Sequence, residues 1–412
     1  MTRAGAGFMA VTVLAGVTLT LSARAGDWPQ LLGPQRNGVS AETGLLPSWP
    51  KAGPPLRWEK EVGSGFSGPA VAGDRLVLFH RIGDEEVVAS LEAATGKEQW
   101  KFSYSTSYID QFNSDDGPRA TPVIAGDRVY TLGAEGRLHC LELQSGRKIW
   151  ERSLSADYSI PKSFFGVGAS PLVEGNLLLV NVGGKDAGMV AFDKDTGKEV
   201  WKATSHEGSY SSPVAATLAG VRQAVFFTRE GIVFLDPQTG KVNYSKHWRS
   251  NNNASVNAAC PVIVEDSVFL SACYNTGAIL LHVHKDHVEE IWKSDEVMSN
   301  HYNTCVAYQG HLYGCDGRQE QTARLRCVDM KTGKVAWTEE GFGCATAVLA
   351  EGNLILLSEN GDLVLVQATP DAYKEKARAK VLGKPSRSPI ALANGFLYAR
   401  DAKKLGCWNL QK

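Results

Sequence analysis

The chain has 412 residues, 43% of them hydrophobic and 21% charged, with a formal net charge of −1. That balance belongs to a folded globular protein and excludes a disordered or fibrous chain. It supplies no long-range field for a phosphate backbone, which removes nucleic acid from the expected partners.

Residues 1–25 read as an export signal. Arg3 forms a basic start, Phe8 to Leu21 is an apolar run too short to span a bilayer, and Ala23-Arg24-Ala25 has the small-x-small cleavage pattern, which predicts cleavage before Gly26. No cysteine lies near the cut, so no lipid anchor is expected, and no later segment is apolar enough to span a membrane. The mature protein is expected to be soluble and periplasmic or secreted. Residues 26–55 follow, rich in Pro and Gly, and are expected to extend along the surface.

From residue 56 to 412 one unit repeats. Short turns between apolar runs centre near Gly73, Gly126, Gly175, Gly220, Asp266, Gly310, Gly352 and Gly395, a period of about 42–53 residues. Gly-Asp and Gly-Asn turns between alternating runs signal hairpins. Proline opens most of the first strands, at Pro69, Pro122, Pro171, Pro213, Pro261 and Pro389, where no ladder donor is lost. A second marker ends each unit: an acidic residue, a Thr-Gly-Lys-like turn and an aromatic residue, as in AFDKDTGKEVW closing at Trp201. Relatives of this stretch end at Trp100, Trp150, Trp292 and Trp337, with Tyr244 in the same place. Four antiparallel strands per unit of this length form a propeller blade.

Eight hairpins predict an eight-bladed all-β propeller. The last unit lacks a fourth strand, and LRWEKEV (Leu56 to Val62), carrying Trp58, is left over at the other end. The N-terminal strand is therefore expected to complete the final blade and close the ring. A four-stranded blade cannot bury both faces alone, so the repeated indoles are read as packing between blades, each removing roughly 150–250 Å² from water.

Eight cysteines are present. Cys140, Cys327 and Cys407 occupy matching strand positions, and Cys260, Cys305 and Cys344 stand near the starts of successive units, the pattern of small buried side chains. Cys315 with Cys327 is the first pair to check for a disulfide across a hairpin.

The pattern Ala191-x-Asp193-x-x-Thr196-Gly197-Lys198-x-x-Trp201 resembles the tryptophan docking motif of the pyrroloquinoline quinone (PQQ) repeat, or quinoprotein-type, propellers, over nearly the whole mature chain. Asp27-Trp28-Pro29, Gly33-Pro34 and Arg36-x-Gly38 resemble exported bacterial members. The resemblance implies one of two roles. One is a PQQ-dependent alcohol or sugar dehydrogenase, holding quinone and calcium near the axis beside a disulfide of adjacent cysteines. The other is a non-catalytic scaffold of the BamB type. This chain has no adjacent cysteines, and it has no lipid-accepting cysteine.

Ligands of propellers usually sit at the mouth of the axial channel, lined by loops that enter the innermost strands. Asp115, Asp116, Arg119, Asn253, Asn257, His301 and Asn303 are the residues of those loops expected to converge there, able to bind a small molecule, sugar or peptide. Asp115 and Asp116 supply too few oxygens to hold calcium alone, and a turn role is the stronger reading. His282, His284 and His287 form a metal-like spacing, but no third ligand is fixed and a rim turn is the stronger reading. No complete catalytic constellation is found, so no catalytic residue, metal or cofactor is assigned. The leading expectation is a monomeric, non-catalytic propeller that binds a protein or envelope component. A PQQ–calcium dehydrogenase with a divergent site and a carbohydrate-binding module are the alternatives.

Overall fold

Two local rules build each unit. Alternating β-branched and aromatic residues favour the pleated strand, and a glycine at positive φ lets the chain reverse within two residues. In the computed structural model, which describes residues 1, 26–112, 114–161, 166–250, 252, 257–318 and 323–412, these rules yield eight four-stranded antiparallel sheets. The expected signal at 1–25 lies, apart from Met1, outside the described residues.

The sheets form an eight-bladed propeller. Blade 1 runs Ala70–Ala72, Arg75–Ile82, Glu85–Glu92 and Glu98–Ser105 from axis to rim. Blades 2 to 7 repeat the order. First strands of neighbouring blades approach one another around the axis. Blade 8 contributes Ala391–Ala393, Phe396–Arg400 and Lys404–Asn409, and Leu56–Glu61 adds its outer strand. The closing ladder is antiparallel and pairs Trp58 with Cys407 and Glu61 with Lys404. The ring is thus held shut by backbone hydrogen bonds between the two ends of the chain.

The core lies between blades. One apolar cluster joins Met189, Ala191 and Trp201 of blade 3 to Ala224, Phe226 and Val233 of blade 4. The repeated motif explains how the blades lock. Asp193 accepts bonds from the Thr196 amide and hydroxyl at 2.8 and 2.7 Å, which shapes the turn. Gly197 takes φ +69°, and its bare face lies against Trp150 of the preceding blade. The Trp150 indole N–H donates to the Lys194 carbonyl in that same turn at 2.9 Å. Trp58, Trp100, Trp201, Trp292 and Trp337 likewise donate to Ala93, Leu143, Pro237, Met330 and Thr369 of the following blade, at 2.8–3.0 Å. The turn glycine therefore serves twice: it permits the turn, and it leaves a flat seat for the neighbour's indole. Blade 7 has Ala377 where others carry tryptophan. Trp49 of the N-terminal segment joins Ala377 and Ala379 in one buried cluster and fills that gap.

All eight cysteines are buried and none is joined in a disulfide. In three blades a cysteine stands between a tyrosine and a tryptophan on adjacent strands: Tyr130–Cys140–Trp150, Tyr313–Cys327–Trp337 and Tyr398–Cys407–Trp58. The small thiol leaves room for two rings. Cys315 faces Leu325 rather than Cys327, so the hairpin does not join that pair.

Residues 26–55, expected along the surface, are drawn inward at two points. Trp28 and Arg36 are only 2% and 3% exposed. Trp28 bridges Val71, the Ile124 amide donates to Pro29, and Val39 bridges Leu349, so the segment crosses one end of the axial channel. The Arg36 guanidinium donates to the carbonyls of Ser170, Pro171 and Pro213. Burial lowers its pKa to about 10. A polar segment is pulled inward because the first-strand carbonyls at the axis need donors.

Candidate functional site

The remaining end of the channel opens into a cavity of about 760 Å³, within the range of ligand pockets. Leu31, Leu32 and Ile390 line it toward the end that the N-terminal segment crosses. Its wall is a belt of hydroxyls and one thiol, each on the residue that enters an innermost strand. The Gly68 amide donates to Thr121 Oγ1 at 3.2 Å, Thr121 N to Ser170 Oγ at 2.8 Å, Ser170 N to Ser212 Oγ at 2.8 Å and Cys260 N to Thr304 Oγ1 at 2.9 Å. Each blade thereby satisfies an amide of the blade before it. Thr121, Ser170, Ser212 and Cys260 each stand directly before a strand-opening proline. That Ser/Thr/Cys-Pro dipeptide is the signal in the sequence, and only its proline was read.

The mouth is cationic and aromatic. Among the described residues, Arg119, Arg318, Lys384 and Arg387 line the cavity, against one lining carboxylate, Glu359. The Arg318 guanidinium lies 4.5 Å above the Tyr274 ring. Arg387 lies 5.8 Å from the Phe66 centroid and 5.9 Å from that of Tyr302, and Arg119 lies 5.6 Å from Phe66. Stacking on ring faces holds each cation without neutralising it. Glu359 is 3.7 Å from Lys384 and 3.5 Å from Arg387, and it accepts the Tyr302 hydroxyl at 3.5 Å. A second cavity of about 540 Å³ adjoins, sharing Tyr274 and Arg318. Tyr274 and Asn275 both hold left-handed φ, +64° and +60°, a conformation kept only where the surroundings impose it.

The expected site residues divide. Arg119, His301 and Asn303 line the cavity. The Tyr274 hydroxyl and His301 Nε2 are 3.1 Å apart. Asn303 is 4% exposed, and neither end of its carboxamide has a hydrogen-bond partner among the described residues. An unmet buried amide costs about 1–3 kcal/mol, which a ligand would relieve. Asn257 does not reach the mouth: it is 2% exposed and donates to the Thr228 carbonyl at 2.7 Å. Asn253 lies outside the described residues. Asp115 and Asp116 stand behind the wall and cap backbone amides of Gly117 and Asp110, each at 2.7 Å.

The hub of that loop is Asp110, which the sequence reading passed over. Its carboxylate accepts from the Phe112 amide, the Ser114 hydroxyl and Arg119, at 2.7–2.8 Å. Burial pushes its pKa up, but these bonds and the Arg119 charge outweigh that and hold it below the ordinary carboxylate value. Asp110 thus fixes both Arg119 and the loop that carries Ile109 and Phe112. These two are 72% and 54% exposed, and Ile82, across the Arg81–Tyr108 contact, is 56% exposed.

His282, His284 and His287 do cluster, with ring centroids 4.6 and 4.4 Å apart. Each pairs locally instead, with Ser267, Glu289 and Asp286. No group of three metal-capable side chains arises among the described residues.

The model of the family described as outer membrane protein assembly factor BamB matches residues 84–339. A quinohemoprotein alcohol dehydrogenase, ADH IIB of Pseudomonas putida, is 30% identical over 131 residues, covering 31% of this chain and 18% of that protein. An outer membrane protein assembly factor BamB of Burkholderia pseudomallei (strain K96243) is 30% identical over 135 residues, covering 32% of this chain and 30% of that protein. The chain thus matches less than a third of either relative's length. Among solved structures, the quinohemoprotein alcohol dehydrogenase of Comamonas testosteroni superposes with a TM-score of 0.69 at 13% identity, over 94% of this chain and 81% of that one. At that identity the likeness speaks for the fold alone.

The PQQ–calcium pair implied by the resemblance can be set against the channel. Calcium takes about 6–8 oxygen ligands, carboxylates among them. Glu359, the lining carboxylate, is already engaged by Lys384 and Arg387, and cations surround it. Among the described residues, the donor set does not fit calcium.

Proposed function

The chain belongs to the family described as outer membrane protein assembly factor BamB, and from that membership we propose that it is an exported, non-catalytic propeller that binds another protein of the cell envelope. The observation that carries this reading is the apolar rim. Ile109 and Phe112 stand more than half exposed on a loop held by Asp110, with Phe112 at the mouth, and Ile82, at the end of the strand Arg75–Ile82, is more than half exposed across the Arg81–Tyr108 contact. Exposed apolar groups gathered at one edge of a cavity mark contact surfaces. The closed ring supports the same reading, since a rigid frame presents loops at fixed spacing. No described helix is long and apolar enough to cross a membrane.

Photo-crosslinkers placed at Phe112 and at Val221 test it. Val221 follows the Ala219–Gly220 turn on the opposite face and is 50% exposed. Capture of one defined envelope protein from either site in the source cell supports the scaffold. Capture from neither overturns it. The dehydrogenase reading is tested in parallel by titrating purified protein with PQQ and calcium while following dye reduction by alcohols and sugars. Saturable, metal-dependent turnover would replace the scaffold reading. A saccharide-dependent rise in melting temperature would favour a carbohydrate-binding module instead.

A further inference from the structure

We propose that the channel mouth receives an acidic peptide segment of the partner, with its carboxylates inside the mouth and apolar side chains on the rim. The inference rests on the protein-binding reading and deepens it. Among the described residues, four lining cations face one lining carboxylate. Asp115 and Asp116 add negative charge behind the wall, but both carboxylates are turned to backbone amides. Arg119 is matched by Asp110 at 2.7 Å, and Glu359 serves Lys384 and Arg387. Arg318 makes no ion pair among the described residues and stacks on the Tyr274 ring. A guanidinium fixed on an aromatic face presents its N–H fork to an incoming carboxylate.

Two further features select a peptide over a small acid. The Asn303 carboxamide, 4% exposed and lining the cavity, has both its donor and its acceptor unmet, the complement of a peptide group, which offers one of each. The apolar residues Ile82, Ile109 and Phe112 are not among the deep wall residues; Phe112 alone reaches the lining, and the other two stand outside it. Only a ligand larger than the cavity touches both the cations and that edge. The floor is closed by the N-terminal segment, so the segment enters as an end or a loop and does not thread through.

The test is fluorescence anisotropy with the full chain and a short fluorescein-labelled peptide in which glutamates alternate with leucine and phenylalanine. Its glutamine counterpart is the control. The glutamate peptide is expected to bind, and its affinity to fall as salt rises; the glutamine peptide is expected to bind about tenfold more weakly or worse. Two substitutions must act in opposite directions. Arg318→Gln is expected to weaken binding about tenfold, and Glu359→Gln, by releasing Lys384 and Arg387, to strengthen it several-fold. Phe112→Ser weakens binding with no change in melting, and Val221→Ser leaves it unchanged. Equal binding of both peptides, no binding of either, or weakening by Glu359→Gln overturns the proposal. Displacement by citrate, inorganic phosphate or PQQ at the peptide's own concentration overturns it in favour of a small-anion site. If the peptides fail while a crosslinker at Phe112 or Val221 still captures a protein, the scaffold reading stands and this one falls.

Discussion

Replacing Trp201 by alanine tests the claim that indoles docked on the following blade, in six of the eight blades, hold the ring together. Trp201 is 8% exposed, its N–H donates to the Pro237 carbonyl at 3.0 Å, and its ring lies on Gly240. Removing the side chain returns roughly 150–250 Å² of surface to water. At about 25 cal/mol per Å² that is about 4–6 kcal/mol, an upper figure because the unfolded chain already hides part of that area. Comparable deletions of buried aromatics fall at about 3–5 kcal/mol, so about 4 kcal/mol is expected. Trp201→Phe keeps most of the apolar contact but leaves the Pro237 carbonyl without its donor, for a loss of about 1–2 kcal/mol. Gly240→Ala attacks the same joint from the other side. Its Cβ would lie 2.5 Å from the indole, at a φ of +72° that side chains rarely adopt. Urea unfolding followed by far-UV circular dichroism measures all three. A loss below about 1 kcal/mol for Trp201→Ala, or equal losses for the alanine and phenylalanine variants, would refute the docking role.

Three other outcomes follow from the same geometry. Arg36→Met leaves the carbonyls of Ser170, Pro171 and Pro213 without their shared donor. It is expected to destabilise by about 3 kcal/mol and to open residues 26–55 to thermolysin; unchanged cleavage would show that the segment is held elsewhere. His80 and His139 are both lowered from 6.5 to about 4, by burial first, and then at His80 by Arg400 and Lys60, and at His139 by Lys148 and Arg137 against the pull of Glu151. The unfolded chain takes these protons near pH 6.5 and the folded chain only near pH 4. Stability is therefore full above about 6.5 and falls as pH drops toward 4, by up to about 3 kcal/mol per histidine. His139→Phe, in a site between Phe102 and Tyr104, flattens that slope in urea titrations across the window, and an unaltered slope contradicts the assignment. The eight buried thiols, several pushed up to about 12 by burial, resist a chromogenic disulfide reagent in the native state. All eight react in denaturant; fewer would reveal a disulfide.

The blade count, the ring closure and the docking tryptophans were legible because each depends on contacts that repeat with the chain. Gly197 and Trp201 are set by a turn that recurs with its glycine at Gly96, Gly146, Gly240 and Gly333, and the repeated copies average out local noise. The mouth is different. It is built from the loops between units, which share no period, and side chains there were ranked by type alone. Asp115 and Asp116 were expected at the mouth as adjacent acids, with a turn role the stronger reading against calcium. Their backbone bonds to Gly117 and Asp110 are invisible without the loop's path, whereas Asp110, a lone acid in YIDQF, organises the whole loop. The inward course of Trp28 and Arg36 was equally hidden, because a Pro- and Gly-rich segment has the composition of a surface strap.

That inward course bears on function. A propeller channel open at both ends could pass solvent or a chain through its axis. Here the N-terminal segment meets blade 1 at Val71, blade 2 at Ile124 and blade 7 at Leu349, and Arg36 ties it to blades 3 and 4. The axis becomes a blind cavity, and its chemistry is graded: apolar residues at the floor, hydroxyls along the wall, cations and aromatics at the mouth. Calcium-dependent chemistry would need several oxygen donors gathered at depth, carboxylates among them; among the described residues this wall offers hydroxyls, several of them already accepting amides from the neighbouring blade, and the Asn303 carboxamide. Among the described residues, the cations that line the cavity gather at its mouth. A partner is therefore met at the rim, and the depth of the cavity sets how far one of its segments can enter.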